Sequence, residues 1–259
     1  MTRRPLIGTS WKMNLGSTEA DRWFAAAVPL VAGIEPCDLF VLPPFTSIWV
    51  ARQRLAGTRL AWGAQDVHPA EEGAHTGDIS ASMLVDLGCT YVELGHSERR
   101  RDHAETDALI AAKVARVMGH GMTPILCVGE PEPGSTGAAV EHVGRQLDGA
   151  LAAIEHPSWP AVVVAYEPVW AIGVGARAAD PAHVGAVQRS IHERIRTVSG
   201  GTDGRVIYGG SVDESTAAAI LAQDGVDGLF VGRAALDPAR FAAIAAIAAA
   251  GAGGSDVEK

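Results

Sequence analysis

Along this chain, short apolar runs rich in Val, Ile, Leu and Phe alternate with longer stretches in which apolar positions recur every three or four residues. The short runs fall at residues 5–9, 39–42, 60–64, 91–94, 124–128, 162–165, 206–208 and 229–231. Several are almost continuously apolar rather than alternating, the pattern of strands in a parallel sheet covered on both faces. The longer stretches, clearest at 17–32, 106–119, 140–154, 181–199 and 238–250, predict amphipathic helices. Two of them open on Asp180-Pro181 and Asp237-Pro238, an N-cap followed by the residue best suited to the first helical turn. Eight such β-then-α units with no Pro/Gly/Ser linker between them predict one α/β domain over residues 1–250, a single closed (β/α)8 barrel rather than an open doubly wound sheet. The glycine-rich stretch and charged residues at 251–259 read as a flexible tail.

Composition narrows the function classes. With 47% hydrophobic and 20% charged residues, the chain can bury a large core. Its formal charge of -9 lacks the basic footprint of a nucleic-acid binder and is repelled by anionic lipid, so neither nucleic acid nor membrane is expected as a partner. An anionic substrate then needs a locally positive pocket. Cys37, Cys89 and Cys127 lie far apart without a C-x-x-C pair, which argues against a disulfide framework or a zinc site and for a reducing compartment. The apolar stretch after Arg3 and Arg4 is too short for a signal-peptide core, and no long apolar run follows, so a cytoplasmic location is expected.

In a barrel of this kind, polar residues just past the strands face the mouth where active sites are built. The first strand leads into Ser10-Trp11-Lys12-Met13-Asn14, the fourth into Gly95-His96-Ser97-Glu98-Arg99-Arg100, and the sixth into Tyr166-Glu167-Pro168-Val169-Trp170-Ala171-Ile172-Gly173. Tyr208-Gly209-Gly210-Ser211 ends the seventh and Gly232-Arg233 follows the eighth. One candidate base, one imidazole, one lysine and two glycine-rich anion loops therefore converge. Singly, each has an ordinary reading: Lys12 as a solvated lysine, Glu98 as a surface ion-pair partner, Trp170 and Tyr208 as core aromatics. Together, and with Gly63-Ala64-Gln65 between them, the motifs occur in the order and spacing of the triosephosphate isomerase family, which the sequence resembles over essentially its whole length.

The resemblance implies a TIM-barrel isomerase of small phosphorylated sugars, without cofactor or metal. By it, Glu167 is the general base that moves a proton between adjacent carbons. His96 polarises the substrate carbonyl as a neutral imidazole beside a helix N-terminus, a pattern well known from triosephosphate isomerase itself. Lys12, held by Glu98, faces the enediolate and the phosphate. Backbone N–H groups of Gly173, Ser211, Gly232 and Arg233 cradle that phosphate. Residues 168–178 correspond to a mobile lid, latched open by Glu130 on Trp170 and held closed by Tyr208 and Ser211. The loop at 73–78 resembles the family's interdigitating loop, which implies a homodimer in which Thr76 reaches towards residue 10 of the other subunit.

The sequence also departs from the family. Ser10 stands in place of the usual asparagine, Arg233 in place of a glycine, and the second lid hinge at 176–178 lacks its common Lys-Thr pair. In the 73–78 loop, His75 and Asp78 replace an aromatic and a glutamate. By the resemblance, that asparagine lies beside the substrate end remote from the phosphate, so the shorter serine would leave room there. The combination resembles the family's erythritol-pathway branch, which interconverts L-erythrulose 1-phosphate and D-erythrulose 4-phosphate. That substrate is expected first, and the interconversion of dihydroxyacetone phosphate and D-glyceraldehyde 3-phosphate second. A non-catalytic phosphometabolite-binding descendant gives no reason to keep Lys12, His96 and Glu167 together. A barrel aldolase needs a Schiff-base lysine or a metal cluster, and Lys113, the only interior alternative, sits in mid-helix rather than at a strand end. His68, His75 and His103 are expected to be structural.

Overall fold

In a computed structural model, the described residues are 3–173, 175–176 and 178–253. Eight parallel strands follow one another around a closed barrel: β1 (Leu6–Ser10), β2 (Asp38–Leu42), β3 (Leu60–Ala64), β4 (Tyr91–Leu94), β5 (Thr123–Val128), β6 (Val163–Tyr166), β7 (Arg205–Tyr208) and β8 (Gly228–Val231), the last pairing back onto the first. Each expected strand is present, with ends displaced by at most one residue. Around them lie α1 (Ser17–Val31), α2 (Ile48–Leu55), α3 (Ala81–Asp86), α4 (Ser97–Asp102), α5 (Asp107–Gly119), α6 (Thr136–Leu151), α7 (Pro181–Ser199), α8 (Ala217–Leu221) and α9 (Pro238–Gly253).

Period-two alternation divides the core into two layers. Residues such as Leu6, Phe40, Leu42, Ile125, Cys127, Ile207 and Phe230 fill the barrel, while Ile7, Leu39, Val92, Leu126, Val164 and Val206 pack outward with the helices. Gly8 is required where the inner layer is tightest, since a Cβ there would sit 1.8 Å from the Phe40 ring. Tyr91 packs against the inner cluster. The same alternation turns Glu93, two residues on, into the barrel.

Helix boundaries follow caps more than periodicity. Asp180 accepts the Ala182 N–H at 2.8 Å and starts α7 at Pro181 as expected. Helix α6 begins four residues before the expected 140, because Ser135 caps it by accepting the Ala138 N–H and its first turn is small residues without an apolar face. Helix α9 continues through Gly253, so residues 251–253, expected in the tail, are helical, and the rest of that tail lies outside the described residues.

Candidate active site

Strand β1 ends in Ser10, and Lys12 follows with φ 52°, a left-handed conformation that a side chain adopts only when its surroundings hold it. Gln65, at the end of β3, holds it by donating to the carbonyls of Lys12 at 3.0 Å and Leu42 at 2.9 Å. Asn14 adds a bond to the Trp11 carbonyl at 2.7 Å. These braces place Lys12 Nζ 2.8 Å from Glu98 Oε1. Burial pushes the Glu98 carboxyl up, but the Lys12 hydrogen bond and the nearby His96 outweigh it, leaving the group below its ordinary range.

His96 is the N-cap of α4, and its Nδ1 accepts the Glu98 N–H at 3.1 Å. An accepting Nδ1 leaves the proton of the neutral ring on Nε2. That nitrogen lies 3.6 Å from Glu167 Oε2, and both atoms are buried without a hydrogen-bond partner. Burial, and then the positive charge of Lys12, lower the imidazole to about 4, so it is a neutral N–H donor at physiological pH. Burial, and then the negative charge of Glu93, push Glu167 up to about 8. Room for this carboxyl depends on Gly209, where a Cβ would lie 2.5 Å from Glu167 Oε1.

A cavity of about 550 Å³ is lined by Ser10, Lys12, Glu98, Gly173, Ser211, Gly232 and Arg233. All four residues expected to cradle phosphate therefore border one space, with Gly232 preceding a short 3-10 turn, Arg233–Leu236. Glu167 borders a neighbouring cavity of about 420 Å³ with Gly95, Ser97 and Cys127. Lys12 and Glu167 thus face different cavities in this conformation, against the expectation of one shared mouth. The contacts Lys12 to Glu98, Glu98 to His96 and His96 to Glu167 nevertheless connect them without a gap, at 2.8, 3.6 and 3.6 Å.

In the 168–178 segment, expected to form a lid, the Trp170 indole donates to Glu130 Oε1 at 2.8 Å. Ser211 Oγ bonds to the carbonyls of Ala171 and Ala176, both at 2.9 Å, and Tyr208 Oη accepts the Ala179 N–H at 3.2 Å. The contacts assigned from the sequence to opposite lid positions coexist here. Arg233 donates to the Gly173 carbonyl at 2.6 Å, tying the loop after β6 to the turn after β8. Tyr166, not singled out in the sequence, also donates to Glu130 at 3.2 Å. Val174 and Arg177 of the expected lid lie outside the described residues.

Thr76 is in an exposed loop. Lys113 is buried between Asp66 at 2.7 Å and Glu105 at 2.6 Å, which ties up its amine and removes it as a Schiff-base candidate. The functional neighbour missed by sequence reasoning is Glu93, whose Oε2 accepts the Ser10 hydroxyl at 2.7 Å inside the barrel. Ser10 is therefore not simply a shortened side chain beside open space. An acid within the apolar run Tyr91-Val92-Glu93-Leu94 was the available signal.

The protein-family model for triosephosphate isomerase matches residues 5–248. The chain belongs to the triosephosphate isomerase family. It is 45% identical to the triosephosphate isomerase of Thermus thermophilus over 250 residues, 95% of this chain and 99% of that one. Identity to the triosephosphate isomerase of Mycobacterium tuberculosis is also 45%, over 262 residues covering 97% and 99% of the two chains. The crystal structure of triosephosphate isomerase from Bartonella henselae superposes with a TM-score of 0.84 at 33% identity, covering 94% of this chain and 98% of that one. The protein is accordingly a sugar-phosphate isomerase of this family. Among the described residues no helix is long and apolar enough to cross a membrane.

Proposed function

We propose that the protein moves the carbonyl of a small sugar phosphate to the adjacent carbon through an enediolate, with triose phosphates as its first substrate class. The observation that carries this reading is the pair of unpartnered buried atoms, His96 Nε2–H and Glu167 Oε2, facing each other at 3.6 Å. Glu167 takes the proton from the carbon beside the carbonyl, and that C–H electron pair becomes the carbon–carbon double bond. The carbonyl oxygen gains the charge and is met by the His96 N–H and by Lys12. The proton of the neighbouring hydroxyl then passes to the charged oxygen, and Glu167 returns its proton to the former carbonyl carbon, so that the second oxygen becomes the new carbonyl. A short swing of Glu167 towards the Lys12 cavity is part of this cycle. The phosphate rests on backbone N–H groups around Gly173, Ser211, Gly232 and Arg233, and the lid excludes water from the enediolate.

The relatives' names favour triose phosphates over the four-carbon substrate expected first from the sequence. A second reading, conversion of L-erythrulose 1-phosphate to D-erythrulose 4-phosphate, is supported by Ser10 and its bond to Glu93, which make the pocket end unlike the family's usual asparagine. Both readings include a homodimer through loop 73–78 and a cytoplasmic setting, which suits three buried free thiols. The test is turnover of D-glyceraldehyde 3-phosphate and of L-erythrulose 1-phosphate by the purified protein and by Glu167→Asp. Wild type should turn over at least one. The variant, whose carboxylate is withdrawn by roughly 1 Å, should lose about 10²-fold or more. Near-normal rates in the variant would remove the assigned base.

A further inference from the structure

Glu93 is an acid in the barrel interior that the reaction described above places in no contact with substrate, acting there only through its charge on Glu167. It is 3% exposed and lies on the inner face of β4. Its Oε2 accepts the Ser10 hydroxyl at 2.7 Å, and Cys127 Sγ lies 3.8 Å from its Oε1. Glu93, Cys127 and Glu167 each bring an atom within 4.8 Å of the others. The charged and titratable groups facing it are Lys12 beyond β1, Asp66 beyond β3, Glu98 of α4, Cys127 of β5 and Glu167 after β6. Packing alone does not account for an acid here. An apolar side chain of similar size would fill the same place without desolvating a carboxyl, and such replacements are often neutral or stabilising.

The hydrogen-bond inventory gives the position a purpose. A hydroxyl has one proton and two lone pairs, and an ionised carboxylate can only accept. With its proton given to Glu93, Ser10 keeps only lone pairs for anything else it meets. Ser10 also lines the 550 Å³ cavity. A side-chain amide in its place would offer N–H donors to the same space.

We propose that Glu93, acting through Ser10, is a positioning residue that makes the pocket end remote from the phosphate an acceptor for a substrate hydroxyl, and so admits a ketose phosphate longer by one hydroxymethyl group. This rests on the isomerase reading and specifies its second substrate class. The polarity depends on ionisation. Burial raises the Glu93 carboxyl, the Ser10 bond and Lys12 partly oppose this, and the result is about 7. Above that pH Glu93 must accept. Below it, a protonated Glu93 can donate to Ser10 instead, and the acceptor character of the pair is no longer fixed.

The experiment measures kcat and KM for D-glyceraldehyde 3-phosphate and L-erythrulose 1-phosphate on either side of neutrality, using wild type, Glu93→Leu, Glu93→Gln and Ser10→Asn. In Glu93→Leu, kcat/KM on the four-carbon substrate relative to the three-carbon one should fall about tenfold, mainly through KM, the scale of one lost hydrogen bond. Glu93→Gln keeps an acceptor oxygen and should recover part of that ratio while losing its pH dependence. A purely structural Glu93 would instead lower both activities together, and that outcome overturns the proposal. Should Glu93→Leu fail to fold, Ser10→Asn tests the same polarity without touching β4: a shift towards the triose supports the proposal and an unchanged ratio overturns it. Wild-type turnover of the triose alone overturns the proposal and leaves the isomerase reading intact. Inactivity on both substrates overturns the isomerase reading itself.

Discussion

The base role proposed for Glu167 gains from a raised affinity for protons, and its carboxyl reaches about 8 through burial and the neighbouring Glu93. Because the two acids are close, the observed titration belongs to the pair. kcat/KM should therefore climb with pH through neutrality and level off above about 8, and Glu93→Gln should move the rising limb to lower pH. A pH–rate profile of both proteins checks this, and superimposable limbs would contradict the coupling. Stability carries the same signature. The folded-state values of Glu93, about 7, and Glu167, about 8, lie above the ordinary 4.5. The fold therefore prefers their protonated forms, a contribution fully present at acid pH and lost as pH rises through those values. Glu93→Leu should accordingly raise Tm more on the alkaline side of that window than on the acid side. Equal shifts in thermal melts at both ends would show that Glu93 is not held at a raised value. At this scale Lys12, His96 and Glu167 stood out as candidates because each sits beside a strand end within a long motif. Glu93 escaped because it lies inside a strand, and its partner Ser10 is 83 residues away, a separation that only barrel closure bridges.

Strands were legible almost to the residue because a parallel barrel buries both faces of each strand, leaving continuous apolar runs bounded by polar turns. Helix ends were less legible where a cap starts the element on small residues, as Ser135 does for α6. Within 168–178 the contacts were less legible: those of Ser211 and Trp170, expected in opposite positions of a lid, are made together in this structure. Hydrogen bonds across a loop depend on backbone geometry that side-chain identity does not encode. Ser211→Ala frees the carbonyls of Ala171 and Ala176 and should lower kcat/KM about tenfold, the order expected for losing one or two neutral hydrogen bonds. It should also speed proteolytic cutting within 168–178. Wild-type kinetics and protease resistance in that variant would show that Ser211 does not hold the lid.

Across the whole molecule, several large apolar side chains remain in contact with water among the described residues: Met13 is 96%, Trp49 56% and Phe45 40% exposed. Covering such side chains with a second subunit would remove apolar surface from water, in keeping with the proposed homodimer. Thr76→Arg places a charge in the loop expected to enter the second subunit. It should halve the mass seen by sedimentation and lower kcat, whereas an unchanged dimer would place the interface elsewhere. The three native thiols matter for such measurements. Cys37, Cys89 and Cys127 are 1%, 5% and 2% exposed, and burial pushes the first two up to about 12 and the third well above its ordinary value. Thiolate is the form that alkylates, so the folded wild type should stay dark to maleimide dyes. One cysteine engineered onto the outside can then carry the sole fluorophore, and subunit exchange can be followed by energy transfer without first stripping the background.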